Sequence, residues 1–148
     1  MSKLETMTET FEISAPARNI WATISDFHQL GRWMPVVARS RPEVSGNEAG
    51  AMRTCLTADG VEMLDRLEEV DAGKMSLTYA ILEATPAMPF RGYRATMSLT
   101  EVGPGKSELV WSCSFLTRGD ASAADIKAYV KGIYKVGVDG LKMLHAAK

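Results

Sequence analysis

The chain has 148 residues, of which 46% are hydrophobic, and 17 Lys plus Arg against 18 Asp plus Glu give a formal net charge of −1. This length predicts a single domain spanning 1–148 that buries its own apolar core. The balanced charge argues against nucleic-acid binding and offers no basic field for an anionic membrane surface. Nine Met against three Trp, four Tyr and four Phe indicate that much of the apolar volume is flexible thioether.

The two cysteines, Cys55 and Cys113, lie far apart and lack the close Cys/His spacing of a zinc or redox motif. We expect both to be buried, inert thiols in a reducing compartment. No apolar run reaches the length of a membrane span, and the first residues lack the apolar segment of a secretory signal. The sequence therefore predicts a cytoplasmic protein without a membrane span, and its motifs indicate no metal or cofactor.

The first predicted elements are a strand and a short helix. Residues 7–13 place Met7, Phe11 and Ile13 on one face, which is typical of a half-buried strand, although Glu9 interrupts the alternation. Ser14 and Pro16 then mark a helix start, with Ser14 as the candidate N-cap. A glycine and a proline soon interrupt the helical pattern, so Trp33 and Met34 are expected on a short turn or second helix.

The middle of the chain predicts a meander of antiparallel strands, because turn-forming residues divide 36–115 into about six segments. In the two cleanest segments, 93–99 and 109–115, the apolar side chains occupy odd-numbered positions, which share one face of a strand. The same rule applied to the preceding strands places one carboxylate, Asp65, among otherwise apolar inward residues.

The C-terminal part changes to a helical period and predicts an amphipathic helix of about 22–24 residues that begins at the N-cap Ser122. Its apolar stripe includes Ile133. Each glycine inside a helix costs up to about 1 kcal/mol relative to alanine. We therefore interpret Gly132, Gly137 and Gly140 as leaving room for a ligand or for a close approach of the sheet.

Several sequence blocks carry a family resemblance. Residues 14–21 (SAPARNIW) at the first helix, together with 65–68 (DRLE) and 93–96 (YRAT), make the chain similar to the START-like (SRPBCC) superfamily and its polyketide cyclase/dehydrase-like branch. The resemblance covers nearly the whole chain. It implies an α+β helix-grip fold, in which a curved seven-stranded antiparallel sheet wraps around a long C-terminal helix and two short helices close one end over a hydrophobic cavity.

The inward aromatic and methionine side chains have two interpretations. They could form an ordinary packed core, or they could line the cavity that the resemblance implies. Buried Tyr hydroxyls and Trp N–H groups need partners, and a few polar groups in an apolar concavity are typical of a small-molecule pocket. The candidate ligand-binding residues are Trp33, Met34, Met63, Asp65, Tyr79, Met88, Phe90, Tyr93, Met97, Trp111, Cys113, Phe115, Ile133 and Gly137.

Asp65 is the sharpest single candidate, because an unpaired carboxylate on the inner face of a sheet costs several kcal/mol. Either a slipped register or a bulge turns Asp65 to solvent, or the carboxylate serves inside as a polar anchor or an acid/base group. Arg53 and Arg94 are conceivable partners, although Arg94 occupies an outward position. His28 and His145 are weaker acid/base candidates, since the sequence singles out no triad around them.

Three functions remain open. The first is a monomer or homodimer that binds or carries a small hydrophobic ligand, aromatic or lipid-like, in the cavity. The second, implied by the resemblance, is a polyketide aromatase/cyclase-type enzyme in which Asp65 and Tyr93 are the catalytic acid/base groups. The third is an interaction protein that uses a sheet edge or the lysine-bearing helix face. An outward Asp65 would count against the enzyme.

Overall fold

The computed structural model describes residues 3–146, which form one seven-stranded antiparallel sheet, two α-helices and a 3₁₀ helix. This is the predicted α+β helix-grip fold, with the long helix at the C-terminal end. In chain order the elements are β1 (Leu4–Ile13), α1 (Ala17–Ile24), the 3₁₀ helix (Phe27–Arg32), β2 (Val37–Val44), β3 (Met52–Thr57), β4 (Glu62–Asp71), β5 (Ser76–Thr85), β6 (Phe90–Gly103), β7 (Lys106–Thr117) and α2 (Ala123–Leu144).

The strand order in the sheet is β1-β7-β6-β5-β4-β3-β2, so β2 to β7 form a meander and β1 returns to pair with β7. The register places Tyr79 opposite Ala95, and Ala95 opposite Cys113, across three neighbouring strands. Within 93–99 of β6 and 109–115 of β7 the odd positions are buried and their even neighbours are more exposed, as the alternation predicted. This inner face is the surface on which α2 and the cavity lie.

The start of α1 differs from the prediction. The N-cap is Pro16, not Ser14, and no side chain of that residue caps the helix. Instead Glu101 of β6 accepts a hydrogen bond from the backbone N–H of Ala17 at 2.8 Å. A carboxylate from a distant strand thus satisfies a free N–H group and places negative charge at the positive end of the helix dipole.

Helix α2 begins as predicted, because the Ser122 side chain accepts a hydrogen bond from the backbone N–H of Asp125 at 3.0 Å. The buried stripe is centred on Val130, Tyr134 and Leu141. Tyr134, which the predicted stripe did not include, is 1% exposed. None of the helices within the described residues is both long and apolar enough to cross a membrane.

Two lysines on α2 form ion pairs with the edge strand of the sheet. Lys127 lies 3.1 Å from Glu5, and Lys131 lies 3.3 Å from Glu9, both on β1. These partly exposed ion pairs contribute little stability, but they explain why β1 carries glutamates among its inward apolar residues.

Candidate functional site

A cavity of about 430 Å³ lies between the inner face of the sheet and α2. Its volume falls within the range of about 300–1,000 Å³ that is typical of small-molecule sites. Strands β3 to β7, α2, the 3₁₀ helix and the segment that follows this helix contribute its walls. The predicted residues that line it are Trp33, Met34, Met63, Asp65, Tyr79, Met88, Phe90, Tyr93, Met97, Trp111 and Ile133.

Three predicted cavity residues lie elsewhere. Phe115 is 0% exposed and does not line the cavity. It packs against Phe90, which does, with ring centroids 6.0 Å apart. Cys113 is 6% exposed and does not line the cavity. Gly137 faces the Met34 side chain, whose Cε would lie 2.6 Å from a Cβ at that position. The odd-position rule identified inward residues correctly but could not tell the first layer of side chains from the layer behind it.

A buried ion pair forms one wall of the cavity. Arg53 and Asp65 are 6% and 5% exposed, and Arg53 Nε donates to Asp65 Oδ2 at 3.0 Å. Arg53 Nη1 also donates to the backbone carbonyl of Phe27 at 2.6 Å, and its guanidinium lies 3.9 Å from the centroid of the Phe27 ring. Asp65 therefore faces inward and pairs with Arg53, while Arg94 is exposed. The slipped-strand alternative is wrong, although a bulge between Leu64 and Asp65 does shift the register of β4 against β5.

The electrostatics of this pair follow from its burial. Burial raises the pKa of the Asp65 carboxyl, and the charge and hydrogen bond of Arg53 oppose that shift. Protonation of Asp65 would leave Arg53 as a buried, uncompensated cation, a state that costs several kcal/mol, so we assign the ionised pair. Asp65 Oδ1 is buried and has no hydrogen-bond partner within residues 3–146. The pair therefore has one acceptor position that the described part of the chain does not fill.

Four aromatic side chains form a second polar group in the cavity. The hydroxyls of Tyr93 and Tyr134 are hydrogen-bonded to each other, and Trp111 Nε1 donates to Tyr79 Oη at 3.3 Å. The rings of Trp111 and Tyr134 stack with centroids 4.0 Å apart. Burial raises the pKa of Tyr79 to about 12 and that of Tyr93 well above its ordinary value. All of these hydroxyls therefore stay protonated and act as neutral hydrogen-bonding groups.

The exposed lining residues mark where the cavity meets solvent. Asp59, in the turn between β3 and β4, is exposed, and Tyr129 on α2 is 51% exposed. The two are close enough for the Asp59 charge to add to the effect of burial in raising the pKa of Tyr129. Met88, in the loop between β5 and β6, is half-buried and also lines the cavity. The mouth therefore lies between these two connections and the first half of α2.

The histidines do not contribute to this cavity. His28 Nε2 is hydrogen-bonded to the backbone carbonyl of Gly46 at 2.9 Å, and His145 Nε2 lies 2.8 Å from the Thr23 hydroxyl. Neither lines the cavity. Among residues 3–146, no group of three or more His, Cys, Asp or Glu side chains is arranged to hold a metal ion.

Sequence reasoning missed three aromatic residues that line the cavity, Phe27, Tyr129 and Tyr134. Tyr134 follows Val130 by four residues and precedes Leu141 by seven, so the helical period contained the signal for its inward position. Phe27 falls at helical spacing after Ile24, but its contact with Arg53 was not predictable, because it depends on the chain reversal that brings the 3₁₀ helix over Arg53.

Comparison with known proteins agrees with this geometry. A family model described as polyketide cyclase/dehydrase and lipid transport matches residues 5–145. Among solved structures, an uncharacterized protein from Bacillus thuringiensis is 25% identical, with a TM-score of 0.83 over 97% of this chain and 100% of that one. The protein XoxI from Bacillus cereus is also 25% identical, with a TM-score of 0.82 over 95% and 94% of the two chains. A Thermobifida fusca protein gives 25% identity and a TM-score of 0.79 over 93% and 90%. No curated protein matches the sequence significantly.

Proposed function

The chain belongs to the polyketide cyclase/dehydrase and lipid transport family, and from this premise we propose that it binds and carries a small, largely hydrophobic ligand, aromatic or lipid-like. The observation that carries the proposal is the cavity of about 430 Å³, whose wall is mostly apolar but includes a few convergent polar groups. Apolar walls provide affinity through burial of the ligand, and sparse polar groups fix its orientation.

The wall combines rigid and adaptable surfaces. Trp111, stacked on Tyr134, provides a flat and well-fixed surface on which an aromatic ligand could lie. Met34, Met63 and Met97 line the same space, and their flexible thioether chains repack around ligands of different shape. This combination supports binding that tolerates variation in ligand shape.

The enzyme alternative has weaker support. It requires Asp65 and Tyr93 to exchange protons with a substrate, but Asp65 is paired with Arg53 and the Tyr93 hydroxyl is engaged with Tyr134. If the protein is a cyclase, Asp65→Asn and Tyr93→Phe should each lower the turnover of a cyclisable polyketone by at least about tenfold. Unchanged turnover in either variant would remove that residue from the mechanism.

The proposal extends to the cellular compartment and the oligomeric state of the protein. The thiols of Cys55 and Cys113 are free and buried, which is compatible with a reducing, cytoplasmic environment. The binding cavity lies inside one chain, so we propose that a monomer is sufficient for binding and that a homodimer would not alter the cavity.

The test of binding is a fluorescence titration with N-phenyl-1-naphthylamine, a neutral probe that brightens in apolar sites. Native mass spectrometry of the purified protein, looking for a co-purified molecule, provides an independent measurement. Ile133→Trp places a bulkier side chain in the cavity and should weaken probe binding at least about tenfold, because it removes space that the ligand needs. The control is Val102→Trp, since Val102 is 50% exposed and lies outside the cavity. If the probe does not bind the wild type, or binds both variants as well as the wild type, the proposal is wrong.

A further inference from the structure

We propose that the cavity selects a neutral ligand that carries a hydroxyl group, a phenol or an alcohol, and rejects the corresponding carboxylate. This inference rests on the proposed binding function and names the ligand class. Two features of the wall carry it, namely its charge and the unfilled acceptor position at Asp65.

The charges of the wall disfavour an anion. Among the described residues that line the cavity, the side chains charged at neutral pH are Arg53, Asp59 and Asp65, so their formal charges sum to −1. Arg53, the single cation, already bonds to Asp65 Oδ2 and to the carbonyl of Phe27. A ligand carboxylate would therefore leave water for a cavity whose only cation within the described residues is already compensated by Asp65, and it would add a second negative charge beside the Asp65 carboxylate.

The unfilled acceptor favours a hydrogen-bond donor. Asp65 is 5% exposed and lines the cavity. Arg53 and the Cys55 thiol both donate to its Oδ2. Its Oδ1 has no hydrogen-bond partner within residues 3–146. A buried acceptor without a partner is unfavourable. Oδ1 is buried in the empty cavity, so the carboxyl must rotate slightly to expose it. A ligand hydroxyl could then donate the missing hydrogen bond to Asp65.

Tyr79 complements this group. Tyr79 on β5 lies two residues from Ile81, the partner of Asp65 on β4, and on the same face of the sheet. The two side chains are close enough for the Asp65 charge to add to the effect of burial in raising the pKa of Tyr79. Because Tyr79 Oη already accepts from Trp111 Nε1, its own proton is left to donate. A hydroxyl both donates and accepts, so one ligand group could bond to Asp65 and to Tyr79 together, whereas a carboxylate could only accept.

The test uses three probes of the same aromatic frame at neutral pH: 2-naphthol, 2-naphthoate and naphthalene, each titrated into the full chain by calorimetry. We expect 2-naphthol to bind at least about tenfold more tightly than 2-naphthoate and about fivefold more tightly than naphthalene. Equal affinity for the three, or tighter binding of 2-naphthoate, overturns the inference and leaves the proposed function standing. Failure of all three probes and of N-phenyl-1-naphthylamine to bind overturns the proposed function itself.

Asp65→Asn tests the assigned residue. This variant keeps the size of the side chain but leaves Arg53 uncompensated, so the preference should reverse toward 2-naphthoate. The matched control is Glu62→Gln, which removes one negative charge from the same strand at an exposed position outside the cavity and should leave the ranking unchanged. Asp59→Asn checks the mouth: if it alone abolishes the rejection of 2-naphthoate, the assignment to Asp65 is wrong. If Asp65→Asn does not fold, the wild-type ranking still decides the ligand class.

Discussion

A Cβ atom at Gly140 would lie 1.8 Å from the carbonyl oxygen of Trp33. Helix α2 and the segment that carries Trp33 and Met34 therefore touch backbone to backbone, with no space for a side chain between them. Gly137, one turn earlier, meets the Met34 side chain of the same segment. The contact fixes the position of two side chains that line the cavity. The sequence interpretation of these glycines, as room for a ligand or for the sheet, was wrong about the partner.

Gly140→Ala should lower the free energy of unfolding by about 1–3 kcal/mol, because the backbone of residues 33–35 must move to admit a methyl group. The control is Gly132→Ala on the same helix, where nothing lies within 4 Å of the added Cβ. That variant should instead be more stable by up to about 1 kcal/mol through helix propensity alone. Urea denaturation of both variants measures the difference, and a stabilising effect of Gly140→Ala would contradict the packing seen here.

The fold was largely predictable because local signals agree with it. Period-2 alternation in β6 and β7 and the Ser122 cap of α2 each appear in the structure where the sequence predicted them. The α1 cap was not predictable, because its partner, Glu101, is 84 positions away from Ala17. A short-range pattern contains no information about such a contact.

The site was predictable in part for the same reason. Strand alternation placed Asp65 inward correctly, but it could not choose Arg53 as its partner, since that choice depends on β3 pairing with β4 so that Arg53 lies opposite Asp65. The ring of Phe27 over the guanidinium depends on a further chain reversal. Long-range pairing, not local pattern, therefore determines the polar part of the cavity.

Breaking the buried pair should be costly, whereas replacing both partners should not be. Arg53→Met leaves Asp65 as a buried, unpaired carboxylate and should lower the free energy of unfolding by about 3–5 kcal/mol. The double variant Arg53→Met with Asp65→Leu should recover most of that loss, because neither charge remains. Arg41→Met breaks an exposed ion pair with Glu43 and should change stability little. Denaturant midpoints of the four proteins test this, and a double variant as unstable as the single one would contradict it.

The hydrogen bond between Tyr93 and Tyr134 should show energetic coupling. Tyr134→Phe keeps the ring that stacks on Trp111 but removes one hydroxyl, so we expect a loss of about 1–2 kcal/mol. Tyr93→Phe should cost a similar amount. The double variant should cost less than the sum, with a coupling energy of about 0.5–1.5 kcal/mol. Additive losses in the double-mutant cycle would mean that the two hydroxyls do not depend on each other.

Alkaline conditions should destabilise the protein through Cys55. Burial raises the pKa of this thiol from 9.0 to about 12. Well below pH 9.0 the thiol is protonated in both states, so its contribution does not change with pH. Between pH 9.0 and about 12 the unfolded chain loses the proton while the folded chain keeps it. The free energy of unfolding should therefore fall with rising pH, by up to about 1.4 kcal/mol per unit from this group.

Cys55→Ala isolates this contribution, because it removes the titrating thiol and leaves the other ionisable groups in place. Its absolute stability will be lower through the lost side-chain volume, so the informative quantity is the slope of unfolding free energy against pH. We expect that slope to be shallower in the variant than in the wild type across the interval from pH 9.0 to about 12. Identical slopes in urea denaturation series would mean that the Cys55 thiol titrates in the folded protein as it does in the unfolded chain, and would contradict its burial beside Asp65.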